Sequence, residues 1–168
     1  MIQKELTGDL KLKWDRIQQA MRKINADGWL LTVDVNLYYT TGRIYSGYFY
    51  LPAEGAPWFF VKRPNGLAGD HVEYIRKPEQ MAELFAFYGL EMPEKLLLEA
   101  DELTYNDYIR LQKIFNPKET GNATAMMREL RRIKTPYEIE MFRISAERHA
   151  KTYAEIPECF RPGRTDLA

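Results

Sequence analysis

The fold is decided by the apolar run in Gly28-Trp29-Leu30-Leu31-Thr32-Val33, a stretch that is followed by Asp34-Val35-Asn36. A short apolar run without polar alternation is typical of a strand that is buried on both faces. The residues before it predict an amphipathic helix, because apolar side chains recur there at steps of three and four, at Leu10, Trp14, Ile17, Met21 and Ile24. Asp9 is predicted to cap the start of that helix, and Gly28 to take the left-handed conformation past its end.

The rest of the chain alternates between strand-like and helical segments. Residues 34–42 are predicted as a loop or a single helical turn, and strands are predicted at 48–51, 58–61, 72–75 and 96–98. One helix is predicted from Pro78 through 88, and a second from a Thr104/Asp107 capping box to the residue before Asn116. Alternation of this kind predicts an α/β domain of three layers, α/β/α, with an open parallel or mixed sheet over residues 10–122.

The last part of the chain predicts two further helices. The first covers residues 123–132, and the second begins at Thr135 (N-cap), Pro136 (first helical position) and Glu138, which can reach back to the cap amide. Pro157 is expected to kink or stop the second helix. Residues 161–165 (RPGRT) predict a turn that opens a new element, so we expect the chain to be a piece of a longer protein.

Composition excludes several classes of partner. The sequence has 24 Lys+Arg and 24 Asp+Glu, so its formal net charge is zero and it has little attraction for a nucleic acid backbone. No apolar run approaches the roughly 20 residues of a membrane span, and the first residues lack the apolar core of a signal peptide. The single cysteine, Cys159, cannot form an internal disulfide. A cytoplasmic location with no membrane partner is the simplest expectation.

Residues suited to catalysis are scattered. His71 and His149 are far apart and belong to no metal-ligand spacing. Glu99, Asp101 and Glu102 follow a predicted strand and could hold a divalent ion, but a solvated turn is the preferred interpretation. No nucleophilic serine or phosphate-binding motif is present. We therefore predict no catalytic and no metal-binding residue in this sequence.

Residues 38–48 (YYTTGRIYSGY) combine four tyrosines with Arg43. Tyrosine and arginine are enriched where proteins bind partners or ligands, which makes this segment a candidate binding surface. The alternative is that alternate tyrosines belong to the core while Arg43 faces solvent. The residues alone favour neither interpretation.

Four segments in order resemble one family. Residues 28–42 (GWLLTVDVNLYYTTG) are similar to a signature of the creatinase/prolidase N-terminal domain, with Thr40 in place of the usual leucine. Residues 98–105 (LEADELTY) resemble a strand-to-helix turn of that domain, and residues 130–139 (LRRIKTPYEI) its linker into a catalytic domain. Residues 161–165 resemble a later turn, with Asp166 where glutamate is common.

The resemblance implies a three-layer domain with a mixed sheet and a ribonuclease H-like motif at residues 1–132. Residues 133–168 would then be the linker and first helix of a "pita-bread" metallopeptidase domain that cleaves the bond before proline. That domain holds two divalent metals, often manganese, through two aspartates, one histidine and two glutamates, and all five would lie downstream of this sequence. The N-terminal domain would be non-catalytic and would support homo-oligomers that act on proline-containing peptides. Arg43, Tyr45 and Tyr48 are the predicted substrate-edge residues, since Arg43 could pair with a peptide carboxylate.

Two alternatives remain open for the whole protein. It could have lost its metal ligands and serve only as a protein-binding pseudo-peptidase. It could also keep the architecture and act as a creatinase-like hydrolase on a small guanidino compound, rather than as an Xaa-Pro aminopeptidase or Xaa-Pro dipeptidase.

Overall fold

A mixed β-sheet of six strands forms the centre of the described part of the chain. The computed structural model describes the backbone of residues 2–159 and the side chains of residues 5–157. The strands are β1 (Gly28–Leu31), β2 (Ser46–Pro52), β3 (Trp58–Arg63), β4 (Val72–Tyr74), β5 (Lys95–Leu98) and β6 (Glu119–Asn122). The helices are α1 (Ile2–Lys23), α2 (Asp34–Thr41), α3 (Gln80–Tyr88), α4 (Tyr105–Phe115), α5 (Thr124–Arg132) and α6 (Pro136–Cys159).

The strand order is β4-β3-β2-β1-β5-β6. β1, β5 and β6 run parallel to one another, and β3 and β4 are also a parallel pair. The pairs β1–β2 and β2–β3 are antiparallel. The prediction of an α/β fold with a mixed open sheet is therefore confirmed.

Side chains that alternate along the strands separate two hydrophobic cores. One face of the sheet packs against α1, α2 and α5 through a cluster that includes Trp29, Leu31, Phe49, Leu51 and Met127. The other face packs against α3 and α4 through a cluster that includes Leu30, Tyr50, Phe60, Phe85 and Phe115. Because successive residues of a strand point to opposite faces, β1 serves both cores, and helices cover both faces of the sheet. These are the three predicted layers.

Two helix starts have the predicted caps. The Asp107 amide donates to Thr104 Oγ1 at 3.2 Å. The Glu138 amide donates to Thr135 Oγ1 at 3.2 Å, and the Thr135 amide donates to Glu138 Oε2 at 2.9 Å. Thr135 and Glu138 thus form the reciprocal capping box.

The predicted ends of the first helix are wrong. α1 already begins at Ile2, and Asp9 lies inside it, buried, with its Oδ2 2.7 Å from Lys13 Nζ. Asp9 is therefore one half of an intrahelical ion pair instead of a cap. At the other end Asn25 has the positive φ of 52°, whereas Gly28 already belongs to β1. A Cβ at Gly28 would lie 2.4 Å from the Tyr50 hydroxyl oxygen, so glycine is needed there for close packing.

Two elements differ from the predicted pattern. Residues 34–41 form the eight-residue helix α2 rather than a loop or a single turn. β6, with the sequence ETGN, was not predicted, because it lacks apolar alternation and is a strand only through its pairing with β5.

The described residues divide into two compact units between Ile133 and Lys134. The second unit contains α6, which continues through Pro157 to Cys159, so the proline does not stop it. The predicted turn at residues 161–165 lies outside the described residues. None of the helices described here is long and apolar enough to cross a membrane.

Candidate functional site

A buried carboxylate lies at the edge of the sheet where β1 and β5 end. Glu99 follows β5 directly and is 0% exposed. Its Oε2 accepts hydrogen bonds from the Thr32 amide at 2.6 Å, the Val33 amide at 2.9 Å and Thr32 Oγ1 at 3.2 Å. Both amides come immediately before α2, and the partial positive charge of a helix N-terminus favours an anion there.

The second oxygen of Glu99 extends this network to two helices. Glu99 Oε1 accepts a hydrogen bond from Asn36 Nδ2 in α2. Asn36 Oδ1 in turn accepts from the Arg131 guanidinium in α5 at 3.0 Å. Glu99, Thr32, Asn36 and Arg131, which we call the Glu99 network, therefore connect the ends of β1 and β5 to α2 and α5.

The Glu99 network is an anchor rather than a reaction centre. Oε2 accepts three hydrogen bonds and Oε1 one, and the side chain is 0% exposed, so neither oxygen of Glu99 is presented to a metal ion or a substrate. Its neighbours have separate partners: Asp101 Oδ1 accepts from Asn122 at 2.6 Å, and Glu102 pairs with Arg128 at 2.9 Å. The solvated turn predicted for these acids is correct for Asp101 and Glu102, which are exposed, and wrong for Glu99. Two backbone amides at the strand end explain why Glu99 is buried.

The tyrosine-rich segment begins on α2 and ends in β2. α2 is capped at its end by Gly42, which has a φ of 64° and donates its amide to the Tyr38 carbonyl. Arg43 follows with an exposed side chain, and its guanidinium donates to the Ala68 carbonyl at 3.2 Å. This hydrogen bond connects the segment to the loop between β3 and β4.

The structure does not bring Arg43, Tyr45 and Tyr48 together on one surface. Tyr45 is buried in the core beneath α1 and α2, and its hydroxyl donates to the Tyr48 carbonyl at 3.3 Å. Burial raises the pKa of the Tyr45 phenol, against the opposing effect of the Arg43 charge, so the phenol stays protonated. Tyr48 belongs to the core on the other face, where its hydroxyl accepts from Lys62 at 3.2 Å.

The exposed residues of the segment form a different set from the predicted one. Val35 and Tyr38 are spaced to share one face of α2 and are 47% and 57% exposed, and Ile44 is 79% exposed. These three residues and the exposed Arg43 lie within the short segment 35–44, and we call them together the α2 surface. The candidate segment 38–48 contained Tyr38 and Ile44 but not Val35, and none of the three was among the predicted substrate-edge residues. The available signal for Val35 and Ile44 was that both are apolar residues close to Tyr38 and Arg43 in a short segment.

No group of three or more His, Cys, Asp or Glu side chains in the described ranges is arranged to hold a metal ion. His71 is stacked on Trp58, with ring centroids 4.4 Å apart, and its Nδ1 lies 3.2 Å from the Pro57 carbonyl. The described residues therefore do not fit the two-metal centre of a metallopeptidase.

Comparison with known proteins identifies the domain. The creatinase/prolidase N-terminal domain model matches residues 13–133. The creatinase/prolidase N-terminal domain of an X-Pro dipeptidase from Streptococcus pyogenes is 18% identical, with a TM-score of 0.57 over 70% of this chain and 98% of that one. Prolidase from Pyrococcus horikoshii is 22% identical, with a TM-score of 0.67, and the alignment covers 92% of this chain but 45% of that one. Xaa-Pro dipeptidase from Bacillus anthracis is 20% identical, with a TM-score of 0.67, and coverage of 95% and 46%.

At these identities the solved structures establish the fold alone, and the chain spans under half of the two longer ones. A search of curated proteins found no match. The family model nevertheless covers most of the sequence, including β1, the Glu99 network and α5. The chain therefore belongs to the creatinase/prolidase N-terminal domain family.

Proposed function

We propose that this domain is the non-catalytic part of a proline-specific metallopeptidase, an Xaa-Pro aminopeptidase or Xaa-Pro dipeptidase, in which it supports subunit assembly and restricts the substrate. The observation that carries the proposal is the match of nearly the whole chain to one part of prolidase chains about twice as long. The metal ions, which we expect to be two and to be manganese, would be held by residues outside this sequence.

A role in assembly is supported by the α2 surface. It exposes Val35, Tyr38 and Ile44 beside the charged Arg43, and tyrosine and arginine are common at the centres of protein interfaces. The Glu99 network fixes the helix beneath it, so contact would require little further ordering of the backbone. The proposed partner is a second copy of the same protein.

A role in substrate restriction is supported by the geometry of Arg43. Its side chain is exposed and is steadied by one hydrogen bond to the Ala68 carbonyl, which leaves other guanidinium donors for a peptide carboxylate. Tyr45 and Tyr48 are buried on either side of the sheet. We assign them a supporting role: they would fix the start of β2, which follows Arg43, and so keep Arg43 at the edge of the substrate pocket.

A cytoplasmic location is part of the proposal and is supported by the single cysteine in the sequence, which is typical of proteins that do not rely on disulfides. The pseudo-peptidase and creatinase-like alternatives concern the catalytic part. Hydrolysis of an Xaa-Pro dipeptide but not of creatine by the whole protein would separate the proposed function from both.

The test of the domain's role uses the whole protein with Arg43→Ala, and separately with the pair Tyr38→Ala and Ile44→Ala. We expect Arg43→Ala to raise KM for an Xaa-Pro dipeptide, and the double variant to shift the oligomeric state in light scattering. Metal content should stay unchanged in both. The matched control is Tyr105→Ala, which removes a 77% exposed tyrosine at the start of α4. Unchanged kinetics together with unchanged assembly in both variants would contradict the proposal.

A further inference from the structure

A cleft of about 1070 Å³ lies at the edge of the sheet opposite to the Glu99 network. Residues from the end of α1 and the loop before β1 line it, together with the loop before β5 and the hairpin between β2 and β3. Because β1 and β2 are antiparallel, the end of β2 at Pro52 lies beside Gly28, where β1 begins. We call this the amino-edge cleft. Its volume is slightly larger than the usual range of small-molecule sites.

The floor of the amino-edge cleft contains a polar group with no partner. Tyr50 lines the cleft and is only 4% exposed. Its ring lies against Gly28 and Phe85. No hydrogen bond reaches its hydroxyl from the residues that the structure describes, so the hydroxyl is available to a group bound in the cleft. Burial raises the pKa of this phenol, and the Asp27 carboxylate adds to the rise, so the hydroxyl keeps its proton and offers its lone pairs.

The rim of the cleft is acidic. Its carboxylates are Asp27, Glu54, Glu91 and Glu94, whereas Arg22 is the permanent cation among the described lining residues. Arg22 donates to the Ala53 carbonyl at 3.2 Å. Glu94 is neutralised by Lys118 at 2.5 Å, but Glu54 and Glu91 have no cationic partner within the described part of the chain. The cleft therefore attracts a cation rather than an anion.

The hydrogen bond that Asp27 already accepts indicates which class of cation fits the cleft. Asp27 Oδ2 accepts the Lys95 amide at 2.7 Å, and Oδ1 accepts no hydrogen bond from the described residues; Tyr50 lines the same cleft. A guanidinium prefers both oxygens of a carboxylate, whereas an ammonium is a compact charge that needs only one. No metal-holding cluster exists among the described residues, so a metal ion does not fit either. The stacked rings of Trp58 and His71 supply an apolar wall beside this position.

We propose that the amino-edge cleft binds a primary alkylammonium group, which donates to the Asp27 carboxylate and the Tyr50 hydroxyl oxygen while its methylenes lie along Trp58 and His71. The group could come from a free amine or from a lysine side chain of a peptide. This site is separate from the α2 surface, and it does not depend on the peptidase proposal.

The test is calorimetric titration of the purified chain with n-butylammonium chloride and, in a second arm, with N-acetyl-lysine amide; n-butanol is the neutral control. We expect saturable binding of a cation and none of n-butanol. Binding of both cations indicates that the ammonium head alone is recognised, and binding of the lysine derivative alone indicates a peptide source. Tyr50→Phe keeps the ring and Asp27→Asn keeps an acceptor for the Lys95 amide. Each should weaken binding at least about tenfold, since each removes one hydrogen bond to a charged group.

Glu129→Gln, which changes an exposed carboxylate on α5, should leave the affinity unchanged. Chemical-shift changes of the Trp58 indole on titration provide a second measurement that does not depend on heat. The proposal is overturned if neither cation binds, if n-butanol binds equally well, or if both cleft variants, folded by their urea unfolding curves, retain the original affinity.

Discussion

Replacing Glu99 by glutamine tests whether one buried carboxylate organises the carboxyl edge of the sheet. The substitution keeps the size of the side chain and one oxygen, which can still accept the Thr32 and Val33 amides. The new amide nitrogen, however, faces Asn36 Nδ2, and two donors cannot bond to each other. If Asn36 turns over to present its oxygen, its amide nitrogen then faces the Arg131 guanidinium, so the mismatch moves along the network.

The magnitude follows from the groups left without partners. Loss of one charge-assisted hydrogen bond lowers the free energy of unfolding by about 1.5–3 kcal/mol, and a buried donor without an acceptor lowers it by about 1–3 kcal/mol more. Removing a charge from a site that is 0% exposed offsets part of this loss. We expect a net destabilisation of about 3 kcal/mol, which is a large fraction of the roughly 5–15 kcal/mol that stabilises a typical domain.

The assay is equilibrium urea unfolding followed by tryptophan fluorescence. The three tryptophans of the sequence, Trp14, Trp29 and Trp58, all precede Ile133, so the signal reports on the unit that contains the sheet. Glu102→Gln is the matched control, because it makes the same chemical change in the same loop but breaks only the exposed pair with Arg128. Its expected effect is below about 1 kcal/mol.

The refuting result is a Glu99→Gln variant with the same small loss as the control and an unchanged denaturant slope. That outcome would mean that the amides before α2 and the Asn36 amide are satisfied without an anion. A changed slope would instead indicate that the denatured or native state has altered, and the comparison would then be made on the transition midpoints at several temperatures.

Three further predictions concern other parts of the fold. Gly28→Ala should lower the unfolding free energy by about 1–3 kcal/mol, because the new methyl group would lie 2.4 Å from the Tyr50 hydroxyl oxygen. Gly8→Ala in α1, where nothing lies within 4 Å, should raise it by up to about 1 kcal/mol, and urea unfolding measures both. The side-chain hydrogen bond from Arg110 holds the pKa of Glu79 at about 2, below its ordinary 4.5. Because the folded-state pKa is depressed, this pair stabilises the fold above pH 4.5 and the contribution is lost as the pH falls toward 2. NMR titration should show the Glu79 midpoint move up in Arg110→Ala, and an unchanged midpoint would contradict the assignment.

Local patterns in the sequence were sufficient where the structure is decided locally. The pairs Thr104/Asp107 and Thr135/Glu138 satisfy helix amides three positions away, so spacing alone predicts them. β1, which contains Leu30, is apolar on both faces because helices cover both faces of the sheet. This burial on both faces is visible in the sequence as an uninterrupted apolar run.

The pattern was insufficient where a distant partner decides. β6 has no apolar alternation and is a strand because it pairs with β5. In that pairing Lys95 lies opposite Glu119, which is 24 positions later in the sequence. Asp9 looks like a cap in sequence, yet the helix continues past it and the carboxylate pairs with Lys13. Glu99 looks like part of a solvated turn, and only the approach of the Thr32 and Val33 amides, 67 and 66 positions away, makes it a buried anchor.

The same distinction explains why the α2 surface was only partly predictable. α2 has eight residues, of which two are Tyr, two Thr, one Val and one Asn, and so short a helix of weak helix formers is unstable alone. Its stability must come from tertiary contacts: Asn36 bonds Glu99, and the Trp14 indole donates to the Thr40 carbonyl at 2.7 Å. Because these contacts use the inward side of the helix, they leave Val35 and Tyr38 on the outward side. The residues that hold α2 in place are therefore not the residues that would touch a partner. A sequence pattern that weights tyrosine and arginine does not separate the two kinds: it selected the buried Tyr45 and Tyr48 and not the exposed Val35 and Ile44.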